Sequence, residues 1–182
     1  MKSANKLVFC FILIFVFITG CNVVNEESKQ SNISVDGPTI SLPNGIPSFV
    51  ADRDFKEIDW NRTATEFDSG TRKDMLGNKD KVGIIGQEFK ADQVEKWMWH
   101  IWLKDKDKAE MTVVGYHQDS SKIIPVFSDG TWSKEIVGGV KVNGADLSTP
   151  SNVILPDKGK WAFLVYLDGK WFDTMIIDFK EK

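Results

Sequence analysis

The chain has 182 residues, 23 basic and 26 acidic side chains, a formal charge of −3, and 42% hydrophobic and 12% aromatic residues. A mildly acidic composition with no basic cluster lacks the electrostatic footprint of a nucleic-acid binder, so no nucleic-acid partner is expected.

At the N-terminus, Lys2 and Lys6 precede an unbroken apolar run from Leu7 to Ile18, the charged start and apolar middle of a secretory signal. The run is too short to span a bilayer, which a helix crosses in about 20 residues. It stops at Ile18-Thr19-Gly20-Cys21, which resembles a lipobox, the site where bacterial signal peptidases cut before a lipidated cysteine. Residues 1–20 therefore read as a lipoprotein signal peptide. Cys21 reads as the first mature residue, carrying a diacylglyceryl group and palmitate. One acyl chain binds a membrane only marginally, whereas two on one cysteine hold it durably. The expected location is the extracytoplasmic face of the cell membrane. With Cys10 cleaved away and Cys21 acylated, no thiol is left to form a disulfide. Loss of Lys2 and Lys6 leaves 21 basic against 26 acidic side chains, a formal charge of −5.

Residues 21–46 are rich in Ser, Asn, Glu and Pro and offer little apolar surface, the composition of a flexible polar linker. Residues 47–182 are of normal single-domain length and can bury well over half of their unfolded surface without crosslinks. Within them, 47–85 is expected to be an irregular segment packing on the rest. The best helical candidate is a turn or two around Ala64 to Met75, which Thr65, Ser69 and Gly70 weaken.

Strand patterns dominate from there on. Glu95 to Leu103 and Met111 to His117 flank a charged loop, Lys104 to Glu110, which reads as a solvated hairpin tip. Lys122 to Phe127 follows, with Pro125 pointing to an edge or bulge. The clearest pair is Lys160 to Leu167 and Lys170 to Phe179, joined by Asp168-Gly169, because a two-residue Asp-Gly turn supplies the positive φ that a tight hairpin needs. Alternation puts Trp161, Phe163, Val165 and Leu167 on the core face, continued after the turn by Trp171, Met175, Ile177 and Phe179. At least five short strands separated by turn residues, without βα alternation, predict a mostly β, antiparallel sandwich.

Several short stretches together resemble an uncharacterised family of Bacillus-type lipoproteins, a domain of unknown function. They are Met75-Leu76-Gly77, Lys81 to Gly86, Lys96 to Trp102, Gly138-Gly139, Asn143-Gly144-Ala145-Asp146, and Pro150-Ser151 through Leu155-Pro156 to Gly159 and Trp161. The Pro-x-x-Gly-x-Trp stretch before the terminal hairpin is similar to the last two strands of bacterial immunoglobulin-like domains. The resemblance spans Met75 to Phe179 and implies an immunoglobulin-like β-sandwich in an exported protein, and it implies no activity. Val140-Lys141-Val142 departs from the family pattern, where a Pro-containing loop is expected.

Function is less legible. The mature chain would have no cysteine nucleophile and two histidines, and it has no Gly-x-Ser-x-Gly, His-Glu-x-x-His or phosphate-cradling motif, so no catalytic residue is assigned. His100 and His117, with Asp105, Asp107 and Glu110 between them, do not make a metal site, because paired strands would turn the two histidines to opposite faces. No metal and no cofactor are expected. Two stretches are candidate binding surfaces. In the first, Trp97, Trp99, Ile101 and Leu103 form one apolar face and Met98, His100 and Trp102 the other. The second face is either covered by residues 47–85 or is an exposed aromatic surface able to stack on a sugar. The second stretch is Gly138 to Pro150, where Asn143 and Asp146 sit on a loop; Asn143-Gly144 reads equally as a hairpin turn. The reading is an extracytoplasmic, non-catalytic binding or interaction module whose partner is a cell-wall glycan or an envelope protein. The alternatives are a wall-associated hydrolase using a carboxylate pair and a structural envelope component.

Overall fold

The computed structural model describes residues 40–86 and 89–179. The signal peptide, Cys21 and most of the linker lie outside the described residues.

The fold grows from two runs of strands. One layer is formed by β1 (Thr65–Phe67), β2 (Met75–Asn78), β3 (Val82–Gly86), β4 (Glu95–Ile101) and β8 (Leu147–Val153), paired antiparallel in that order. The other contains β7 (Ser133–Val137), β5 (Lys108–His117), β9 (Gly159–Leu167) and β10 (Lys170–Phe179), with β6 (Ile123–Pro125) continuing the β7 edge of β5. Val137 paired with Ser148, and Phe127 bridged to Val153, join the layers at one side. At the other side the chain before β1 meets β10 through a parallel bridge between Thr63 and Ile176. The result is one curled antiparallel sheet whose halves face each other as a sandwich, as the strand pattern predicts.

The aromatic residues fill the space between the halves. Trp97 and Trp99 of β4 lie 5.6 and 6.5 Å from Phe163 of β9, ring centre to ring centre. Trp161, Val165, Met111, Val113, Met175 and Ile177 complete the filling. Burying an indole requires a partner for its N–H. Trp99 Nε1 donates to Ser151 Oγ at 2.8 Å, and Trp161 Nε1 to the Asp157 carbonyl at 2.9 Å. A second apolar cluster covers the outer face of β5, β9 and β10. Val114, Tyr116, Leu164, Tyr166 and Ile176 pack there under Val50 and Phe55, with Ile40, Leu42 and Ile46 against its margin. The packed segment thus already includes Ile40, ahead of Pro47.

The seam is stitched by Asp173, which is almost fully buried. It accepts from Arg62 at 3.2 Å and from Asn78 Nδ2 at 2.8 Å, while Asn78 also donates to the Thr174 carbonyl and Ala64 N–H to the Ile176 carbonyl.

The terminal hairpin has the predicted bounds except that β9 starts one residue earlier, at Gly159, and Asp168 and Gly169 hold the required φ of 50° and 73°. Three sequence expectations are corrected. First, Ala64 to Met75 is not helical. Asp68 accepts the Gly70 N–H and Ser69 bonds Arg72, which makes a turn between β1 and β2; the short helix α1 lies earlier, at Asp52–Lys56. Accordingly only part of 47–85 is irregular, since 65–86 carries three strands. Second, Lys104 to Glu110 is not a hairpin tip. Both edges of β4 are taken by β3 and β8, so residues 104–107 cross between layers and Lys108 to Glu110 begin β5. Third, Trp171 leaves the core face. The two-residue turn sets Trp171 opposite Tyr166 on the outer face, and a one-residue register slip between Trp171 and Asp173, a β-bulge, then brings Asp173 inward.

Truncation of Trp161 to Ala is expected to lower stability by about 3–5 kcal/mol, read from the denaturation midpoint. Asp173→Ala leaves Arg62 free to hydrate but removes two charge-assisted bonds, and is expected to cost about 1.5–3 kcal/mol in the same measurement.

Candidate functional site

The residues nominated from sequence on β4 and on the β7–β8 loop come together on one side of the first layer. Alternation along β4 sends Met98 and His100 outward, opposite to Trp97, Trp99 and Ile101. The β7–β8 connection folds back over this face. Asn143 and Gly144 occupy a two-residue turn with φ of 52° and 81°, closed by the Ala145 N–H to Val142 carbonyl bond. The hairpin-turn reading of Asn143-Gly144 is therefore what forms, and the turn aims the Asn143 amide at His100, with Nδ2 2.9 Å from Nε2. Asp146 is ion-paired with Lys141 at 3.0 Å, and its N–H donates to the Ile101 carbonyl.

His100 is completely buried. Its Nδ1 lies 3.1 Å from the Met98 carbonyl and so carries the proton, which leaves Nε2 to accept from Asn143. Desolvation pushes its pKa below the usual histidine value, against the opposing pull of the Met98 and Gly83 carbonyls, and nearby Arg72 adds to the depression. Trp102 is half-buried, stacked 6.4 Å from the His100 ring and edge-on to Phe67 at 5.7 Å; Met98 is also half-buried. Phe67 lies over Gly83, where a Cβ would come within 2.9 Å of its ring. The face is thus covered, by Phe67 of β1 and by the Asn143 turn, and the nominated residues form a packed polar–aromatic cluster. His117 points to the opposite, inner side. It is buried against Trp161 and bonds Ser120 Oγ and the Lys158 carbonyl at 2.8 Å each. Both histidines are packed, and among the described residues no three metal-ligating side chains converge.

The open concavity lies elsewhere. A pocket of about 490 Å³ sits on the outer face of β10, walled by α1 and the chain that follows it. Trp171 and Thr174 supply one side, Arg53, Glu57, Asp59 and Arg62 the other, and Ile58 and Ile176 an apolar floor. Trp171 is 57% exposed, and its Nε1 donates to Thr174 Oγ1 at 3.2 Å, which fixes the ring's orientation. Asp54 holds α1 in place, since one carboxylate oxygen accepts from both the Ala51 N–H and the Tyr166 hydroxyl. Desolvation, followed by this bond to Asp54, raises the Tyr166 pKa far above the ordinary tyrosine value. Sequence reading missed this site because alternation assigned Trp171 to the core. The clue was the pairing across the two-residue turn, which places Trp171 opposite Tyr166 and so on the outer face.

A family model described as Domain of unknown function (DUF4871) matches residues 49–177, which covers both layers and both clusters. The chain belongs to this family. It is also similar in structure to the protein described as "X-ray Crystal Structure of a Putative Lipoprotein from Bacillus anthracis". The similarity has a TM-score of 0.56 and 18% identity, over 72% of this chain and 94% of that one. That likeness establishes the shared fold. No curated protein matches the chain.

The pH dependence of stability follows from His100. Its folded pKa is depressed, so the unfolded chain binds a proton that the folded chain refuses. The stabilisation is complete above the unfolded pKa of about 6.5 and is lost as pH falls below it, toward the lower folded value. The melting temperature should therefore drop between pH 7 and pH 5, and the drop should be smaller in His100→Gln.

Proposed function

We propose that the protein is a lipid-anchored module on the extracytoplasmic face of the cell membrane that binds an envelope component without catalysing a reaction. The observation that carries this reading is the order of features at the N-terminus: basic residues, a short apolar run, Ile18-Thr19-Gly20-Cys21, then a polar stretch of linker composition. Such a leader commits a chain to export. A cysteine directly after the small residue at Gly20 is where two acyl chains would be attached. The linker then sets the folded domain away from the bilayer.

The name carried by the Bacillus anthracis neighbour supports the same reading for a chain of this fold. The domain contributes a rigid body. Its inner space is filled by side chains, and its buried indoles have hydrogen-bond partners. What it offers to another molecule is its surface, which includes the concavity of about 490 Å³ beside Trp171. A site of mixed donors, acceptors and one aromatic face suits recognition.

Cys21→Ala tests the anchor. Wild-type protein is expected to incorporate radiolabelled palmitate and to sediment with membranes. The variant is expected to be unlabelled and either released or retained as the longer precursor. Equal processing and equal membrane retention of the two proteins would overturn the reading.

A further inference from the structure

We infer that the pocket between α1 and β10 is a binding site for a neutral glycan, with Trp171 as the platform on which a sugar ring stacks. The inference rests on the binding-module reading and adds to it a site and a ligand class.

The volume of about 490 Å³ falls within the range of small-ligand sites, roughly 300–1,000 Å³. The chemistry of the lining narrows the class. An exposed indole face carries negative potential from its quadrupole and is apolar, the complement of the C–H face of a pyranose ring. Solvent exposure of a large ring is unfavourable, yet Trp171 is held outward by its pairing opposite Tyr166 and oriented by Thr174, so the platform is formed before any ligand arrives.

The polar wall fits a ligand that both donates and accepts hydrogen bonds. Arg53 and Arg62 supply N–H donors, and Glu57 and Asp59 supply acceptors. Asp59 spends one oxygen on the Asn61 N–H, and the Glu57 carboxylate has no hydrogen-bond partner among the described residues. The two guanidinium groups are already compensated, Arg62 by Asp173 at 3.2 Å and Arg53 by Asp54 at 3.6 Å. Counting Asp54, the lining holds three carboxylates against two arginines, so it offers no surplus of positive charge to hold an anion. With both arginines paired, Glu57 and Asp59 leave the wall negative, but it is open to solvent, which screens its pull on a cation. Hydroxyl and amide groups on a neutral ring can use donors and acceptors together, and desolvating them costs far less than desolvating an ion. The β4 face nominated from sequence does not compete for this role, since His100 is fully buried beneath Asn143.

The test uses the full chain in detergent, with two probes: neutral oligomers of N-acetylglucosamine followed by calorimetry, and retention on isolated cell wall. Wild type is expected to bind the oligomer and to be retained on the wall. Trp171→Ala should weaken both by at least about tenfold, a loss of 1.4 kcal/mol, with an unchanged melting temperature. Glu57→Gln, which removes a charge and keeps one acceptor, should weaken oligomer binding less. If wild type is retained on the wall and Trp171→Ala is retained equally, the site is wrong and the binding-module reading stands. If wild type is retained on the wall but binds no oligomer, the ligand class is wrong and the module reading stands. If wild type neither binds the oligomer nor is retained on the wall, the inference fails together with the envelope-binding part of the reading, while the palmitate experiment still decides the anchor.

Discussion

The extra residue in β10, between Trp171 and Asp173, is the constraint on which the rest of the molecule depends. A two-residue turn pairs Leu167 with Lys170 and thereby sends every second residue from Trp171 onward away from the core. Continued without interruption, that phase would expose Met175 and Ile177 and bury Thr174. The bulge restores the inward phase at the cost of one unpaired position. Phe172 occupies that position, half-buried at the core margin with the Lys81 ammonium 5.4 Å from its ring centre. Two consequences follow from one insertion: the core gains two large apolar side chains and a carboxylate arrives at the seam, while the turn itself leaves an indole standing in solvent.

Asp173 shows why a buried charge is tolerated here. Alone it would be costly, but it is met by one guanidinium reaching in from solvent and one amide from the opposing layer. The bonds do more than neutralise it, because they tie β10 to β2 where only one bridge and a few backbone bonds otherwise hold the layers together. Arg62 belongs to both the seam and the wall of the Trp171 pocket. The pocket is therefore built on the tightest part of the closure, and its shape is inherited from the fold. The neighbouring wall is anchored by the Tyr166 hydroxyl on Asp54, which fixes a helix too short to be stable by itself.

Where the hydrophobic pattern has a single period and a strong turn, as in Lys160 to Leu167 with Asp168-Gly169, the sequence is a sufficient guide, and the core side of β9 and the odd face of β4 follow from alternation alone. The five strands at 65–67, 75–78, 82–86, 133–137 and 147–153 are less visible. They are short, and they contain residues such as Gly77, Gly83 and Pro150 that carry no strand signal yet sit in register with their neighbours. The doubly apolar character of Trp97 to Leu103 leaves two readings open, a cover by residues 47–85 or an exposed face; Phe67 belongs to the first, and the Asn143 turn is in neither. That the Asn143 turn would arrive over His100 depends on which strands pair, and pairing is invisible in a local pattern. The bulge lies between these extremes. An acidic residue at 173 amid apolar odd positions, set beside the parity of the turn, already requires a change of phase, whereas alternation taken without the turn places Trp171 on the wrong face.

The partners at the seam lie far apart in the chain, Asn78 and Asp173 by 95 residues and Arg62 and Asp173 by 111. Ring closure over a span of that order carries an entropic cost near (3/2)RT ln n, roughly 4 kcal/mol, before any contact compensates it. A topology dominated by such distant pairings folds slowly, on the order of milliseconds to seconds. Until the seam forms, the edges of β1 and β10 are bare and their backbone groups can pair with a neighbouring chain; the Thr63–Ile176 bridge then covers part of the β10 edge. For this protein the hazard during maturation is thus one of timing. A copy that zips its two layers before meeting another has the β10 edge bridged at Ile176 and Asp173 already paired, and a copy that meets another first is diverted into assembly between chains.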